Sequence, residues 1–246
     1  MNPTPGDIPG TNPSSRSMRR ALPNALTMFR ILLAAAFFIF LGIGSVRISS
    51  GLDHGAIVPL STRVLLGLTA GIFIVAALTD ALDGHLARRW NSVTVFGRIM
   101  DPFADKVLVV GAFICLCGPK FQVTYPDGTH EQLTGVAPWM AVTVLARELL
   151  VTSIRGWFES RGTDFSASFS GKLKMVVQSA TIPTILILLA MTNAAPGPGV
   201  RMLIDGLVWF MVAVTLASAI PYITRSVREA RHDRGREGHD ASGDSP

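Results

Sequence analysis

Charged residues are scarce in this chain of 246 residues. Asp, Glu, Lys and Arg make up 16% of the sequence, whereas a soluble domain averages about 25%, and the mean hydropathy is +0.42. Both values argue against a soluble enzyme and against a disordered chain. Cysteine is scarce too: Cys115 and Cys117 are the only two, and they lie too close together in one apolar run to staple a fold or complete a zinc site. We interpret both as small hydrophobic side chains.

Large apolar side chains are almost missing from the N-terminus. Residues 1–17 are rich in Pro, Gly, Ser, Thr and Asn, so they contain no secretory hydrophobic region, and we expect a disordered polar leader over residues 1–20. The first apolar run has no small-residue cleavage site at its end and should be retained. At the other end, residues 227–246 are first basic and then polar. We expect a disordered tail whose arginines either lie on anionic headgroups or are solvated.

Long apolar runs are what the sequence has in abundance. A helix needs about 20 mostly apolar residues to cross a bilayer, and six stretches approach that length. Turn signals such as Pro126-Asp127-Gly128 lie between them. The sequence shows no internal repeat of the kind found in transporters built from two inverted halves. The six predicted spans are Asn24 to Val46, Val64 to Arg88, Phe96 to Gly118, Val136 to Phe158, Ser170 to Thr192 and Val200 to Thr224.

The predicted fold is all-α, an integral membrane bundle of six transmembrane helices over residues 21–226. Its orientation follows from the positive charges, because loops rich in Lys and Arg stay in the cytoplasm. The loops after spans one, three and five contain only Arg47, Arg63, Lys120 and Arg201 of the 22 basic residues. We therefore expect both termini in the cytoplasm, in a multi-pass protein of the cell (inner) membrane. The net charge of +5 then serves topology, and we expect no nucleic-acid partner.

One acidic segment departs from this membrane composition. Four carboxylates at the inner ends of two apolar helices would cost about 2.5–3.5 kcal/mol each at the bilayer centre, and less near the interface. At 100° per residue, Asp80 and Asp83 share one helix face, and Asp101 and Asp105 share another. The two pairs can therefore face each other across a helical hairpin. Facing carboxylates repel unless cations lie between them, and oxygen ligands favour Mg²⁺, Mn²⁺ or Ca²⁺. The four residues are Asp80, Asp83, Asp101 and Asp105.

The spacing of this segment resembles a known signature. From Asp80 to Asp105 the chain reads Asp-x2-Asp-Gly-x2-Ala-Arg-x8-Gly-x3-Asp-x3-Asp, with no position missing. This pattern is similar to that of the CDP-alcohol phosphotransferases, integral membrane enzymes of phospholipid synthesis. Pro23 to Arg30 resembles the family's opening Asn-x-Leu-Thr-x-x-Arg. The bacterial branch that makes phosphatidylglycerophosphate is resembled by Ala146-Arg147-Glu148, Ser153-Ile154-Arg155 and Gly171-Lys172-Leu173-Lys174 with Gln178.

The resemblance implies a site for CDP-diacylglycerol built around two divalent ions, Mg²⁺ or Mn²⁺. By analogy Asp80, Asp83 and Asp101 bind metal, and Asp105 both contacts metal and acts as the base for the incoming alcohol. The residues expected around the cytidine side are Gly84, Ala87, Arg88 and Gly97, with Asn24 and Thr27 closing the pocket. The small residues among them also suit simple helix packing.

Basic residues on the same side as the aspartates bear on the acceptor alcohol. Fixed positive charge suits an acceptor that carries a phosphate, and with the branch resemblance this favours glycerol 3-phosphate. The open alternatives are phosphatidylglycerol or inositol phosphate as acceptor, a cation-coupled transporter, and cations that only anchor topology or pair with Glu148 and Asp164. A homodimer is compatible with the apolar outer faces. The expected acceptor phosphate-binding residues are Arg30, Arg147, Arg155, Lys172 and Lys174.

Overall fold

Helix-forming apolar sequence fills each expected span, and the structure contains a long helix in every one. The computed structural model describes residues 13–43, 60–90, 95–124, 127–161, 169–192 and 196–229; for 13–27, 61, 81–90, 95–102, 104–105, 124 and 169–170 it describes the backbone only. Within these ranges the six helices are α1 (Pro13–Ile43), α2 (Leu60–Trp90), α3 (Val95–Leu116), α4 (Pro138–Ser160), α5 (Phe169–Met191) and α6 (Pro198–Ala217).

Three segments in the described part of the chain are long and apolar enough to cross a membrane. They are Thr62–Asp80, Gly171–Met191 and Pro198–Glu229. Helices α1 and α3 are apolar over the shorter stretches Met28–Ile43 and Lys106–Leu116, while α4 has the length but contains several charged side chains. The described residues therefore form six long helices in the predicted order, and the three long apolar segments are compatible with the predicted membrane protein.

The structure differs from the sequence prediction at three places. Helix α1 begins at Pro13, inside the expected leader, because proline suits a first helical turn and the following Arg, Met, Ala and Leu favour helix. After a turn at residues 218–219, a further helical segment over residues 220–229, here called the C-terminal extension, continues from α6. The connection from α3 to α4 contains an antiparallel hairpin of β1 (Gln122–Thr124) and β2 (His130–Gln132).

Local hydrogen bonds shape the turn of this hairpin. The backbone N–H and hydroxyl of Thr129 donate to Asp127 Oδ1 at 2.9 and 2.6 Å. The bond from the Thr129 hydroxyl, and to a smaller extent the bond from its backbone N–H, hold the pKa of Asp127 below its usual range. Gly128 follows with φ +83°, a conformation that glycine adopts without a steric cost. Turn chemistry, rather than a long strand pattern, thus forms the hairpin.

Two hydrophobic clusters hold the helices together. The larger one joins all six described helices, and fully buried Phe37 and Phe73 meet edge to face within it, with ring centroids 5.4 Å apart. The smaller cluster packs the C-terminal extension against the end of α4 through Phe158 and Tyr222, among others. The first cluster fixes α1 beside α2, and the second fixes the C-terminal extension beside α4.

Basic side chains stabilise the helix ends on the hairpin side of the bundle. Arg63 Nε donates to the carbonyl of Ala190 near the end of α5, at 3.1 Å, and Lys120 Nζ donates to the carbonyl of Gly42 near the end of α1. Cations at helix C-termini satisfy free carbonyls and interact favourably with the helix dipole. Two of the four basic residues expected in the outer loops therefore have structural partners at helix ends, and Arg47 lies outside the described residues.

Gly135, which follows the hairpin in the chain, packs closely against α6. Its φ is +66°, and a Cβ there would lie 2.5 Å from Asp205 Oδ1, while the other carboxylate oxygen, Asp205 Oδ2, accepts from Arg201 Nε at 3.2 Å. Arg201 also pairs with Glu131 at 3.1 Å. A side chain at Gly135 would therefore push Asp205 away from Arg201.

We predict that Gly135→Ala destabilises the protein more than Gly128→Ala. Both substitutions place alanine at a positive φ, which destabilises the folded state by about 1–2 kcal/mol. A Cβ at Gly128, however, meets nothing within 4 Å. Only the first change adds a clash. Thermal unfolding in detergent measures the difference, and equal melting temperatures for the two variants would contradict the prediction.

Candidate functional site

The first aspartate of the acidic segment lies at a contact between α1 and α2. Arg30 Nη1 is 2.6 Å from Asp80 Oδ1; the arginine side chain is 1% exposed and the carboxylate 29%. A buried guanidinium is tolerated only with a partner, and here the partner is a residue of the signature. Sequence reasoning assigned these two residues to different subsites, and the structure brings them together.

The position of Asp80 along α2 places it at the end of the apolar span. Leu60 begins the helix and Asp80 follows twenty residues later, about 30 Å along the axis at 1.5 Å per residue, which is close to the thickness of the hydrocarbon core. The apolar segment Thr62–Asp80 ends at this residue. The rest of the signature on α2 therefore lies on the part of the helix that continues beyond the apolar span.

A cavity of about 310 Å³ opens beside the Arg30–Asp80 pair. Helices α1, α2, α3 and α5 form its wall, and the polar side chains on it are those of Arg30, Asp80 and Ser179. The other lining residues are apolar: Phe73, Ile74, Ala76, Ala77, Leu78, Leu108, Val109, Met175, Val176 and Ala180. A mostly apolar cavity with one charged pair suits a molecule that is itself part apolar and part charged.

The remaining signature residues lie on the helices next to this cavity. Asp83 follows Asp80 on α2, and Asp101 and Asp105 lie on α3, which begins after a four-residue connection. Their side chains are outside the described part of the chain, as are those of the expected cytidine-binding residues Asn24, Thr27, Gly84, Ala87, Arg88 and Gly97. Among the side chains that are described, no cluster of three or more His, Cys, Asp or Glu is present.

Two of the expected acceptor-binding residues meet on one carboxylate. Lys174 Nζ and Arg147 Nη1 lie 2.5 and 3.1 Å from Glu148 Oε1, and all three side chains are less than a tenth exposed. Arg147 Nη2 also donates to the carbonyl of Ser218 at 3.5 Å. This pairing with Glu148 is one of the alternatives that the sequence left open. The network links α4, α5 and the end of α6, and it retains one net positive charge.

The other two expected acceptor-binding residues are exposed. Lys172 lies on the cavity side of α5, because it precedes the cavity-lining Met175, Val176 and Ser179 by three, four and seven residues, the spacing of one helix face. Arg155 is 43% exposed and lies 4.0 Å from Glu159 one turn later. The five cations therefore occupy four separate places, because Arg147 and Lys174 share one; Arg30 lines the cavity, and Lys172 lies on the helix face that lines it.

Sequence reasoning missed two polar side chains near the site. Lys106, directly after Asp105, donates from Nζ to Thr152 Oγ1 at 2.5 Å and so links α3 to α4. A lysine in an apolar helix is itself a signal, and it was overlooked beside the aspartates. Ser179 lines the cavity, and nothing in the sequence distinguishes it from a serine that only packs between helices.

Comparison with known proteins extends over most of the chain. Residues 20–220 match the family described as CDP-alcohol phosphatidyltransferase. A protein of Escherichia coli strain K12 named CDP-diacylglycerol–glycerol-3-phosphate 3-phosphatidyltransferase is 30% identical over 213 residues, 84% of this chain and 95% of that protein. Proteins of the same name from Salmonella paratyphi A and Bacillus subtilis are 29% and 31% identical, over 84% and 68% of this chain and 95% and 76% of theirs.

The resemblance in the signature and the match along the chain agree with each other. The match includes α2 and α3, which contain the four aspartates, and the segments of α4 and α5 that contain the buried network. The relatives are named as phosphatidyltransferases. The chain therefore belongs to the CDP-alcohol phosphatidyltransferase family and is a membrane-bound transferase of phospholipid biosynthesis.

Proposed function

We propose that this enzyme transfers a phosphatidyl group from CDP-diacylglycerol to glycerol 3-phosphate, giving phosphatidylglycerophosphate and CMP. The observation that supports this most directly is the position of Asp80, where the apolar span ends and a mostly apolar cavity begins. The substrate has the same division, since its acyl chains are apolar and its pyrophosphate is charged. Relatives named for this reaction match the chain over most of their length.

CDP-diacylglycerol fits the cavity in one orientation. Its acyl part would contact the apolar wall between α2 and α5, and its pyrophosphate would lie toward Asp80 and the signature. The cytidine would then extend to the residues expected from the family resemblance: Asn24, Thr27, Gly84, Ala87, Arg88 and Gly97. The site would lie at the cytoplasmic side of the cell membrane, the side on which the charge distribution places both termini.

The donor set fits hard divalent cations. The carboxylate of Asp80 is partly exposed on the cavity wall, and the other three expected ligands, Asp83, Asp101 and Asp105, are also carboxylates. Oxygen ligands of this kind suit Mg²⁺ or Mn²⁺, and two such ions would be held by these four residues. When bound, they would supply neutralising charge for the pyrophosphate of the substrate.

The protein's own part in the reaction is to take one proton and hold two substrates in line. Asp105 accepts the proton of the acceptor hydroxyl, and the hydroxyl oxygen attacks the phosphorus attached to diacylglycerol. A new phosphorus–oxygen bond forms, the bond to the bridging oxygen of the pyrophosphate breaks, and CMP leaves with that oxygen.

Lys172 is the strongest candidate for a contact with the acceptor phosphate. It is exposed and lies on the helix face that lines the cavity, and a lysine holds phosphate oxygens well. Arg147 and Lys174 add positive potential through the net charge of their network with Glu148. Arg155 retains its place as an acceptor residue in this proposal, at the exposed end of α4.

Release of CMP tests the proposed function. Purified protein in detergent is incubated with CDP-diacylglycerol and Mg²⁺ or Mn²⁺, with one acceptor at a time: glycerol 3-phosphate, phosphatidylglycerol, inositol phosphate, inositol or serine. We expect CMP only with glycerol 3-phosphate, and none after chelation of the divalent ion. CMP with phosphatidylglycerol or inositol phosphate alone would change the acceptor, and its absence with every acceptor would favour a cation-coupled transporter.

Asp105→Asn should abolish transfer while largely preserving binding of CDP-diacylglycerol. The amide cannot accept the proton of the acceptor hydroxyl, but it has nearly the same shape as the carboxylate. Turnover is measured as CMP release, and binding is measured separately with labelled substrate. Near-normal turnover would remove Asp105 from its role as the base.

Lys172→Ala should raise the KM for glycerol 3-phosphate about tenfold or more, because a hydrogen bond to a charged group contributes about 1.5–3 kcal/mol. The KM for CDP-diacylglycerol should change less. Lys174→Met is the matched variant two residues away: it removes a cation from buried Glu148 and should lower the melting temperature, which Lys172→Ala leaves unchanged. If both KM values rose equally in Lys172→Ala, the acceptor assignment would be withdrawn.

A further inference from the structure

Helix α3 places the backbone of Asp105 on the face that lines the cavity. Asp105 precedes the cavity-lining Leu108 and Val109 by three and four residues, which is the spacing of one helix face. Lys106 is the next residue, about 100° further around the helix, and its side chain reaches α4 instead. The rotation of α3 about its own axis therefore decides where the proposed base stands in the cavity.

A hydrogen bond between α3 and α4 restrains this rotation. Lys106 Nζ donates to Thr152 Oγ1 at 2.5 Å, and the Thr152 hydroxyl donates in turn to the carbonyl of Glu148 at 2.8 Å. A hydroxyl has one proton and two lone pairs, so it serves both bonds at once and its direction is fixed. Lys106 is thus held by an oriented acceptor on a neighbouring helix.

The same turn of α4 is anchored to α5. The carboxylate of Glu148, one turn before Thr152, lies 2.5 Å from Lys174 Nζ, and both side chains of this ion pair are buried. Lys174 follows Lys172 by two residues on α5. A chain of contacts therefore runs from α3, next to Asp105, through α4 to α5, next to the proposed acceptor contact.

The carboxylates of α4 do not compete with Thr152 for the lysine. Glu148 is paired with Lys174 and with its neighbour Arg147, and Glu159 lies 4.0 Å from Arg155. The partner of Lys106 on this helix is a neutral hydroxyl. A substitution of Thr152 therefore removes the bond without breaking a salt bridge.

A small rotation of α3 would matter for catalysis. The end of a side chain lies about 5–6 Å from the helix axis, so a rotation of about 10° moves it by about 1 Å. A misplacement of this size can lower a rate about 100-fold. Contacts that the other helices make with the substrates would stay as they are.

We propose that Lys106 is a positioning residue, whose bond to Thr152 fixes the rotation of α3 and so holds Asp105 in line with the acceptor hydroxyl. This role rests on the proposed function, in which Asp105 takes the proton of that hydroxyl. It requires no contact between Lys106 and either substrate. Lys106 then acts on the rate of transfer and not on the binding of CDP-diacylglycerol or glycerol 3-phosphate.

Substitutions on both sides of the bond test this role. The full chain in detergent is assayed by CMP release with both substrates, and binding of labelled CDP-diacylglycerol is measured without acceptor. We expect Lys106→Met and Thr152→Val each to lower kcat about tenfold to a hundredfold, with donor binding and both KM values within about twofold of wild type. The double variant should be no slower than the slower single variant, because both changes remove the same bond. Thr152→Ser retains the hydroxyl and should keep kcat near the wild-type value.

Thr143→Val is the matched control on the same helix. The hydroxyl of Thr143 donates to the carbonyl four residues earlier at 2.8 Å, as that of Thr152 does, but in the described part of the chain it bonds to no other helix. Its substitution should leave kcat unchanged. An equal loss of kcat in Thr143→Val would overturn the proposal.

Other results would also count against this role of Lys106. Near-normal kcat in Thr152→Val beside an impaired Lys106→Met would mean that the lysine acts without Thr152, and losses that multiply in the double variant would mean two independent effects. If Lys106→Met does not fold, Thr152→Val and Thr152→Ser decide alone, and equal kcat values for the two overturn the proposal. No CMP from wild-type protein would overturn the proposed function and this role together, whereas an active wild type with unaffected variants would overturn this role only.

Discussion

The ion pair between Arg30 and Asp80 is the contact on which the rest of the site depends. A charged group at the edge of a bilayer must be paired or must face water, and this pair meets both requirements, with the guanidinium buried and the carboxylate partly exposed. It joins α1 to α2 where the apolar span ends and contributes the charged end of the cavity. The charged end of the cavity, the partly exposed carboxylate of Asp80 and the end of the apolar span therefore coincide.

The other basic side chains divide according to the same constraint. Near the hairpin, Arg63 and Lys120 donate to carbonyls at helix ends, so their charge serves the fold. Buried between α4 and α5, Arg147 and Lys174 share the carboxylate of Glu148. At the end away from the hairpin, Lys172 is exposed beside the cavity. A cation is therefore available to a ligand only where the bundle itself does not require it.

Sequence patterns predicted the order of the six helices because each apolar run is long enough to be read without its neighbours. They also identified Asp80 as a candidate functional residue, since carboxylates in apolar helices need a cause, and its role as a metal ligand stays a prediction. They did not predict the Arg30–Asp80 pair or choose between a ligand and Glu148 for Arg147, because which faces meet depends on helix packing. The turn at Gly128 was predicted, but the two short strands beside it and the start of α1 were missed, because three-residue strands and polar helix starts carry little periodicity.

Charge balance is the argument that joins the cavity to its acceptor under the proposed reaction. Arg30 offsets one of the four signature carboxylates, and the three that remain would repel a pyrophosphate, which is the physical reason to expect divalent cations there. Two such ions would reverse the sign of the site and leave it one unit positive, but the two negative charges of the donor pyrophosphate would exceed that by one. The acceptor phosphate therefore needs positive charge from outside the metal site. Lys172 on the cavity face and the network of Arg147, Lys174 and Glu148, with its one net positive charge, would supply it. Inositol and serine carry no net negative charge and would gain nothing from these cations.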